Sequence, residues 1–111
     1  MAYQEPEDSR FTRVYQETTP DVLEAFGAFN QAVFSDERMV PKKYLELIAV
    51  GVALTTQCSY CIDAHSKAAV AAGATEQELA EAAWVAAAIR SGGAFAHGRL
   101  AFKLSGADHQ R

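Results

Sequence analysis

Two cysteines and a histidine fall at spacings that suit thiol redox chemistry. Cys58 and Cys61 are three residues apart, and His65 follows Cys61 by four. On one helix such residues are surface neighbours, with Cβ atoms about 5–6 Å apart, and a disulfide tolerates Cα separations of about 4.4–6.8 Å. A helix N-terminus stabilises a thiolate, and an imidazole one turn away can take the thiol proton. The spacing therefore predicts a redox-active cysteine pair assisted by His65.

The same three residues have a structural and a metal-binding interpretation. Free cysteines are often small buried residues, and a single helical histidine is usually a surface or core residue. Cys58, Cys61 and His65 could also supply three zinc ligands, with a carboxylate or water as the fourth. Their shared helical face favours function over structure. The apolar composition favours redox chemistry over zinc, because structural metals usually support small folds with poor cores.

Glu46 is the charged member of an otherwise apolar run, Tyr44–Val50. A carboxylate buried there could accept or donate a proton. The alternative, which the pattern alone slightly favours, is that Glu46 faces outward and pairs with Lys42 or Lys43. A helix continued from Glu46 to Cys58 would span about 18 Å. The two residues can therefore meet only if the next helix folds back along the first.

The elements that position these residues are all predicted to be helical. Apolar residues recur at helical spacing and no segment alternates cleanly as a strand does, so the fold class is all-α with about five helices. Pro41 suits a first helical turn, and Gly73 suits a helix end. Thr75 and Glu78 form a capping box that opens another helix. The predicted helices run from Pro20 to Phe34, from Pro41 to about Gln57, from near Cys58 to Gly73, from Thr75 to Arg90, and over residues 94–104, with Ser91-Gly92-Gly93 as the last break.

The composition indicates one soluble domain. The chain has 111 residues, half of them hydrophobic, and a formal net charge of −4 without a basic cluster, which disfavours nucleic-acid binding. The polar N-terminus lacks a signal-peptide pattern, and the longest apolar run, Leu47–Leu54, is too short to cross a bilayer. We expect a cytoplasmic protein with no membrane partner. The predicted division is an N-terminal arm over residues 1–19, a helical domain over 20–105 and a tail over 106–111.

The residues singled out above resemble a known signature. Glu46, eleven intervening residues, the Cys58-x-x-Cys61 pair and His65 match the motif of alkylhydroperoxidase D-like proteins in the carboxymuconolactone decarboxylase family. The likeness covers roughly Pro20 to Phe102. It includes Pro41-Lys42, Tyr60-Cys61-Ile62, Gly73-Ala74-Thr75 with Glu78, and Ser91-Gly92-Gly93.

The resemblance implies a fold, an activity and a set of roles. The fold is the alkylhydroperoxidase D-like helical fold, assembled as a homotrimer or homohexamer; the nearly all-round apolar helices also predict a homo-oligomer. The activity is thiol-dependent reduction of hydroperoxides, an antioxidant function. Cys61 would attack the peroxide, Cys58 would resolve the product, and Glu46 and His65 would relay protons. In such proteins the reductant can be a lipoyl group or another external dithiol, a peroxiredoxin can be the partner, and neither a cofactor nor a metal is expected.

Tyr60 departs from the family pattern, because the best-studied members carry a histidine just before the second cysteine. A phenol with a pKa of about 10 is a poor base at neutral pH, although it can donate a hydrogen bond to a peroxide or thiolate. Tyr60 is therefore an auxiliary candidate. It keeps open a dithiol–disulfide oxidoreductase with another electron acceptor. A non-peroxidase enzyme of the decarboxylase type and a zinc-binding or structural helical oligomer are further alternatives, and the cysteine pair disfavours the decarboxylase.

Overall fold

The computed structural model describes residues 3–106 and residue 108, and within them the chain is helical without strands. This confirms the all-α fold class. None of the helices in this part of the chain combines the length and the apolar character needed to cross a membrane. The elements are a 3₁₀-helix over Pro6–Phe11 followed by α1 (Thr12–Thr18), α2 (Pro20–Val33), α3 (Lys42–Thr56), α4 (Ser59–Ala71) and α5 (Glu76–Leu104).

Local signals set several of these helix ends. The Thr75 hydroxyl accepts a hydrogen bond from the Glu78 backbone N–H at 3.1 Å, and the Glu78 carboxylate accepts one from the Thr75 N–H at 3.0 Å. The predicted capping box at the start of α5 is therefore confirmed. After α4, Gly73 has φ of +101°, a conformation that favours glycine and ends the helix as expected.

Two helical features differ from the sequence-based expectation. Ser91-Gly92-Gly93 does not interrupt the chain, because α5 continues through it for 29 residues. A glycine within a helix costs only about 1 kcal/mol relative to alanine, and the alanine-rich flanks favour helix on both sides. Residues 6–18 of the predicted N-terminal arm are also helical. The domain limits themselves stay predictions, and the tail over 106–111 lies largely outside the described residues.

α3 is the central element of the fold. It packs against α4 and α5, whereas α1 packs against α2 and the 3₁₀-helix. The tightly buried apolar residues are few and small, namely Val50, Ala53, Ala69 and Ala74. α4 folds back along α3 and thereby brings the middle of α4 beside the first turns of α3. Glu46 can approach the residues of α4 only if α4 folds back along α3 in this way.

Candidate active site

The cysteine pair lies at the junction between α3 and α4. Gln57 adopts a left-handed conformation with φ of 57° and ends α3. Cys58 then caps the N-terminus of α4, and its Sγ accepts a hydrogen bond from the Cys61 backbone N–H at 3.3 Å. Cys58 and Cys61 are joined by a disulfide, with their Cα atoms 5.2 Å apart. The predicted pairing is therefore present, and both sulfurs sit where backbone N–H groups favour negative charge.

Glu46 and His65 meet across the α3–α4 contact. His65 Nδ1 lies 2.6 Å from Glu46 Oε2, a short hydrogen-bond distance. Glu46 is 3% exposed and is the one buried charged residue in the described part of the chain. The outward orientation that the sequence pattern slightly favoured is wrong, because α4 covers this face of α3. A buried carboxylate requires such a partner, since isolated charges are strongly disfavoured away from water.

His65 connects the carboxylate to the thiols along α4. It follows Cys61 by four residues in one continuous helix, about one turn or 6 Å along the axis. With Nδ1 bound to Glu46, the other ring nitrogen is the one left to exchange a proton with a group outside the pair. The structure thus brings together Glu46 and His65, and places them one helical turn from the disulfide. Their catalytic roles stay predictions.

Tyr60 is bound to a residue that sequence reasoning missed. Its hydroxyl donates to Asp8 Oδ2 at 2.6 Å, across 52 positions of the chain, and Asp8 also accepts from the Glu5 N–H at 3.0 Å. The hydrogen bond to Asp8 raises the pKa of Tyr60, and the same bond, helped by Glu5, lowers the pKa of Asp8. No sequence pattern links Asp8 to the cysteines, because the contact depends on where the N-terminal helix lies.

A cavity of about 860 Å³ adjoins this contact. Its walls come from the N-terminal segment and from Tyr60, one of the two residues between the cysteines. Four of the lining side chains are aromatic: Tyr3, Phe11, Tyr15 and Tyr60. The N-terminal segment therefore forms part of the surroundings of the Cys58–Cys61 motif.

Phe34 and Lys42 complete the surroundings of the Glu46–His65 pair. The Phe34 ring stacks on the His65 imidazole, with centroids 5.0 Å apart and planes 24° apart. Lys42 Nζ donates to the Phe34 carbonyl at 2.9 Å and lies 4.0 Å from Glu46 Oε1. From the sequence, Lys42 is expected to be a possible partner for an outward Glu46, and Phe34 marks the end of the first predicted helix; neither is expected at the site.

The described residues contain no group of three or more His, Cys, Asp or Glu side chains arranged to hold a metal ion. Cysteines joined in a disulfide offer no thiolate ligands. The disulfide geometry fits redox chemistry at Cys58 and Cys61, and the zinc alternative would require their reduced form.

The carboxymuconolactone decarboxylase family model matches residues 20–104, more than two thirds of the chain. The chain belongs to this family. Among its relatives is "Uncharacterized protein 4 in cox locus" of Paracoccus denitrificans, which is 46% identical over 81 residues, covering 73% of this chain and 72% of the relative. The crystal structure of a protein from Methanobacterium thermoautotrophicum matches this chain with a TM-score of 0.71 and 39% identity. The matched region covers 79% of this chain and 98% of that protein's chain.

Membership in the carboxymuconolactone decarboxylase family confirms the expected resemblance and the expected fold. It supports a redox role of the alkylhydroperoxidase D type in general terms, because the family and the disulfide-forming pair agree. The names of the two similar proteins state no reaction.

Proposed function

We propose that this protein is a thiol-dependent hydroperoxide reductase with an antioxidant role. The observation that carries the proposal is the buried carboxylate of Glu46, held at 2.6 Å to His65 one turn along α4 from the disulfide-forming pair. A carboxylate and an imidazole held together in a protected position suit proton transfer to and from a reacting thiol.

The proposed reaction begins with the reduced pair. His65, oriented by Glu46, takes the Cys61 proton, and the thiolate attacks the distal oxygen of the hydroperoxide. The O–O bond breaks, Cys61 becomes a sulfenic acid, and the alkoxide leaves as an alcohol with the proton returned by His65. The Cys58 thiol then attacks the Cys61 sulfur, which releases water and forms the disulfide. An external dithiol restores both thiols and is itself oxidised to a disulfide.

The proposed partners follow from the family likeness. The external dithiol is a lipoyl group or a comparable small dithiol, and a peroxiredoxin is the alternative partner that receives the electrons. The protein acts as a homotrimer or homohexamer. The exposed apolar faces support the assembly: Val22, Phe26 and Phe29 on α2 are 62–65% exposed, and Trp84 on α5 is 76% exposed.

The test is peroxide consumption with a supplied dithiol, comparing wild type with Cys58→Ser and Cys61→Ser. We expect turnover by wild type and its loss in both variants. A sulfenic acid trapped in Cys58→Ser, and absent from Cys61→Ser, would assign the attack to Cys61. Stoichiometric zinc bound by the reduced cysteines, or undiminished turnover in both variants, would contradict the proposal.

A second candidate is a dithiol–disulfide oxidoreductase with a different electron acceptor. It is favoured by Tyr60, which stands where related enzymes carry a histidine and whose hydroxyl donates to Asp8. A phenol with a raised pKa supplies no base at neutral pH. If wild type consumes no peroxide while its disulfide is readily reduced and re-formed, this second function replaces the first.

A further inference from the structure

Four residues, the Glu46–His65 pair with Phe34 and Lys42, form a closed ring of contacts. Phe34 stacks on His65, His65 binds Glu46, Glu46 lies 4.0 Å from Lys42, and Lys42 donates to the Phe34 carbonyl. The Lys42 ammonium also lies 5.9 Å from the Phe34 ring centroid. The ring joins the end of α2 to the first turn of α3 and the middle of α4. Two of its members, Phe34 and Lys42, have no role in the reaction described above.

Lys42 provides a permanent charge to a carboxylate whose other partner changes its charge. The Glu46 side chain is 4% exposed and uses one oxygen for His65 and the other toward Lys42. During the proposed proton transfer His65 alternates between a neutral and a cationic form. Each time His65 is neutral, a buried anion would lose its cationic partner. The Lys42 ammonium stays positive throughout, so Glu46 remains compensated in both halves of the cycle.

Phe34 stacks on one face of the imidazole. Its ring lies nearly parallel to the His65 ring and covers one face of it. The bond from Lys42 Nζ to the Phe34 carbonyl joins the residue that follows α2 to the first residue of α3. Rotation of the imidazole about its side-chain bonds would break both the stacking and the bond to Glu46. A fixed ring plane keeps the free nitrogen aimed in one direction, which proton transfer requires.

We propose that Lys42 and Phe34 are positioning residues for the Glu46–His65 pair, with Lys42 keeping the buried carboxylate compensated and Phe34 holding the imidazole plane. The proposal rests on the function proposed above. It assigns neither residue a contact with the substrate. Both act through His65 and Glu46.

The experiment compares Lys42→Met, Lys42→Arg and a matched control, Lys43→Met. Lys43 is the neighbouring lysine, and its pair with Glu78 at 2.9 Å lies away from the relay. The Lys42 side chain is 45% exposed, so methionine is expected to be tolerated. We expect Lys42→Met to lower kcat for peroxide by about tenfold or more with little change in KM. Arginine should restore most of the loss, and Lys43→Met should stay within about twofold of wild type.

A second measurement makes the outcome independent of peroxide turnover. The ring nitrogens of His65 are followed by NMR in the oxidised protein, with the signal assigned by loss in His65→Gln. We expect Lys42→Met and Phe34→Leu to shift the His65 nitrogen signals, and Lys43→Met to leave them unchanged. Unchanged His65 signals in Lys42→Met, or an equal kcat loss in Lys43→Met, would overturn the proposal. A wild type without peroxide turnover would refute the proposed function, and the NMR comparison would still decide this inference.

Discussion

Glu46 is the residue whose surroundings point most directly to function, because a charge buried there is unfavourable without a partner. It lies on the face of α3 that α4 covers, and the side chain is 4% exposed. An apolar residue of similar volume would pack there without a desolvation penalty. The same site holds a carboxylate bound to an imidazole that lies one helical turn from Cys61 of the disulfide. Such buried titratable pairs concentrate at functional sites.

Glu46→Gln tests the charge while keeping the shape of the side chain. We expect peroxide turnover to fall by about a hundredfold, the range typical of a lost general acid–base partner. The helical content should be retained, since glutamine fills the same volume and can still hydrogen-bond His65. Steady-state kinetics and far-ultraviolet circular dichroism measure the two effects. Glu24→Gln, at an exposed position of α2, is the control, and an equal loss in both variants would remove Glu46 from the mechanism.

The Asp8–Tyr60 contact predicts a pH dependence at both ends of the scale. The bond lowers the pKa of Asp8, so its contribution to stability is present above the unfolded carboxyl pKa and disappears as the pH falls through the folded value. It raises the pKa of Tyr60, so the contribution is present below the unfolded phenol pKa and disappears as the pH rises through the folded value. Docking of the N-terminal segment on Tyr60 should therefore be strongest between these limits.

Absorbance titration of the phenolate measures this directly. The titration of Tyr60 is obtained as the difference between a protein with Tyr60 and the same protein carrying Tyr60→Phe. Its midpoint should lie at lower pH in Asp8→Asn than in wild type. The carboxylate disfavours the phenolate both by the hydrogen bond and by charge repulsion. Glu7→Gln, on the same 3₁₀-helix, should leave the midpoint in place. Identical midpoints in Asp8→Asn and wild type would show that the contact is absent in solution.

At the scale of elements, the sequence predicts what local chemistry decides. Thr75 with Glu78 predicts the start of α5, and the spacing of Cys58 and Cys61 predicts a disulfide, because each depends on neighbours within one turn. The inward orientation of Glu46 depends on the path of α4, which no local pattern specifies. Pairing of Asp8 with Tyr60 depends in the same way on the position of the N-terminal helices. The break expected at residues 91–93 does not occur, because the helix-forming residues of the neighbouring turns outweigh the cost of two glycines within the helix.

Glycine substitutions in α5 test that balance. Gly92 and Gly93 lie within α5 outside the positive-φ region, and an added Cβ would meet no atom within 4 Å at either position. Alanine at each should raise the free energy of unfolding by about 0.5–1 kcal/mol and raise Tm in thermal unfolding followed by circular dichroism. Gly73→Ala should lower the free energy of unfolding, since Gly73 has φ of +101°, a conformation that strains alanine. A lower Tm for the α5 variants would indicate that another chain packs against these glycines.

At the scale of the whole molecule, the surface of a single chain is large for its length, which supports the proposed assembly. Its accessible surface is 9193 Å², about one and a half times the roughly 6,000 Å² of a compact 12 kDa monomer. Its radius of gyration is 18.9 Å, against about 13 Å for a compact chain of this length. The excess, about 3,000 Å² per chain, is of the size that obligate oligomers bury. An apolar groove of about 450 Å³ between α3 and α5 is part of this open surface.

One charge on the apolar stripe of α2 should disrupt the assembly. Val22, Phe26 and Phe29 share a helical face and are 62–65% exposed, and α2 packs mainly on α1 rather than on the core. Phe26→Glu would place a carboxylate inside an apolar interface, which is strongly disfavoured. Light scattering at micromolar concentration should then give a smaller assembly than the trimer or hexamer expected of wild type. The control is Gln31→Glu, a charge added at another exposed position of α2, which should assemble normally. A monomeric wild type would contradict the oligomer. In such a monomer the apolar face of α2 would stay uncovered, and a helix of 14 residues is rarely stable in water without such packing.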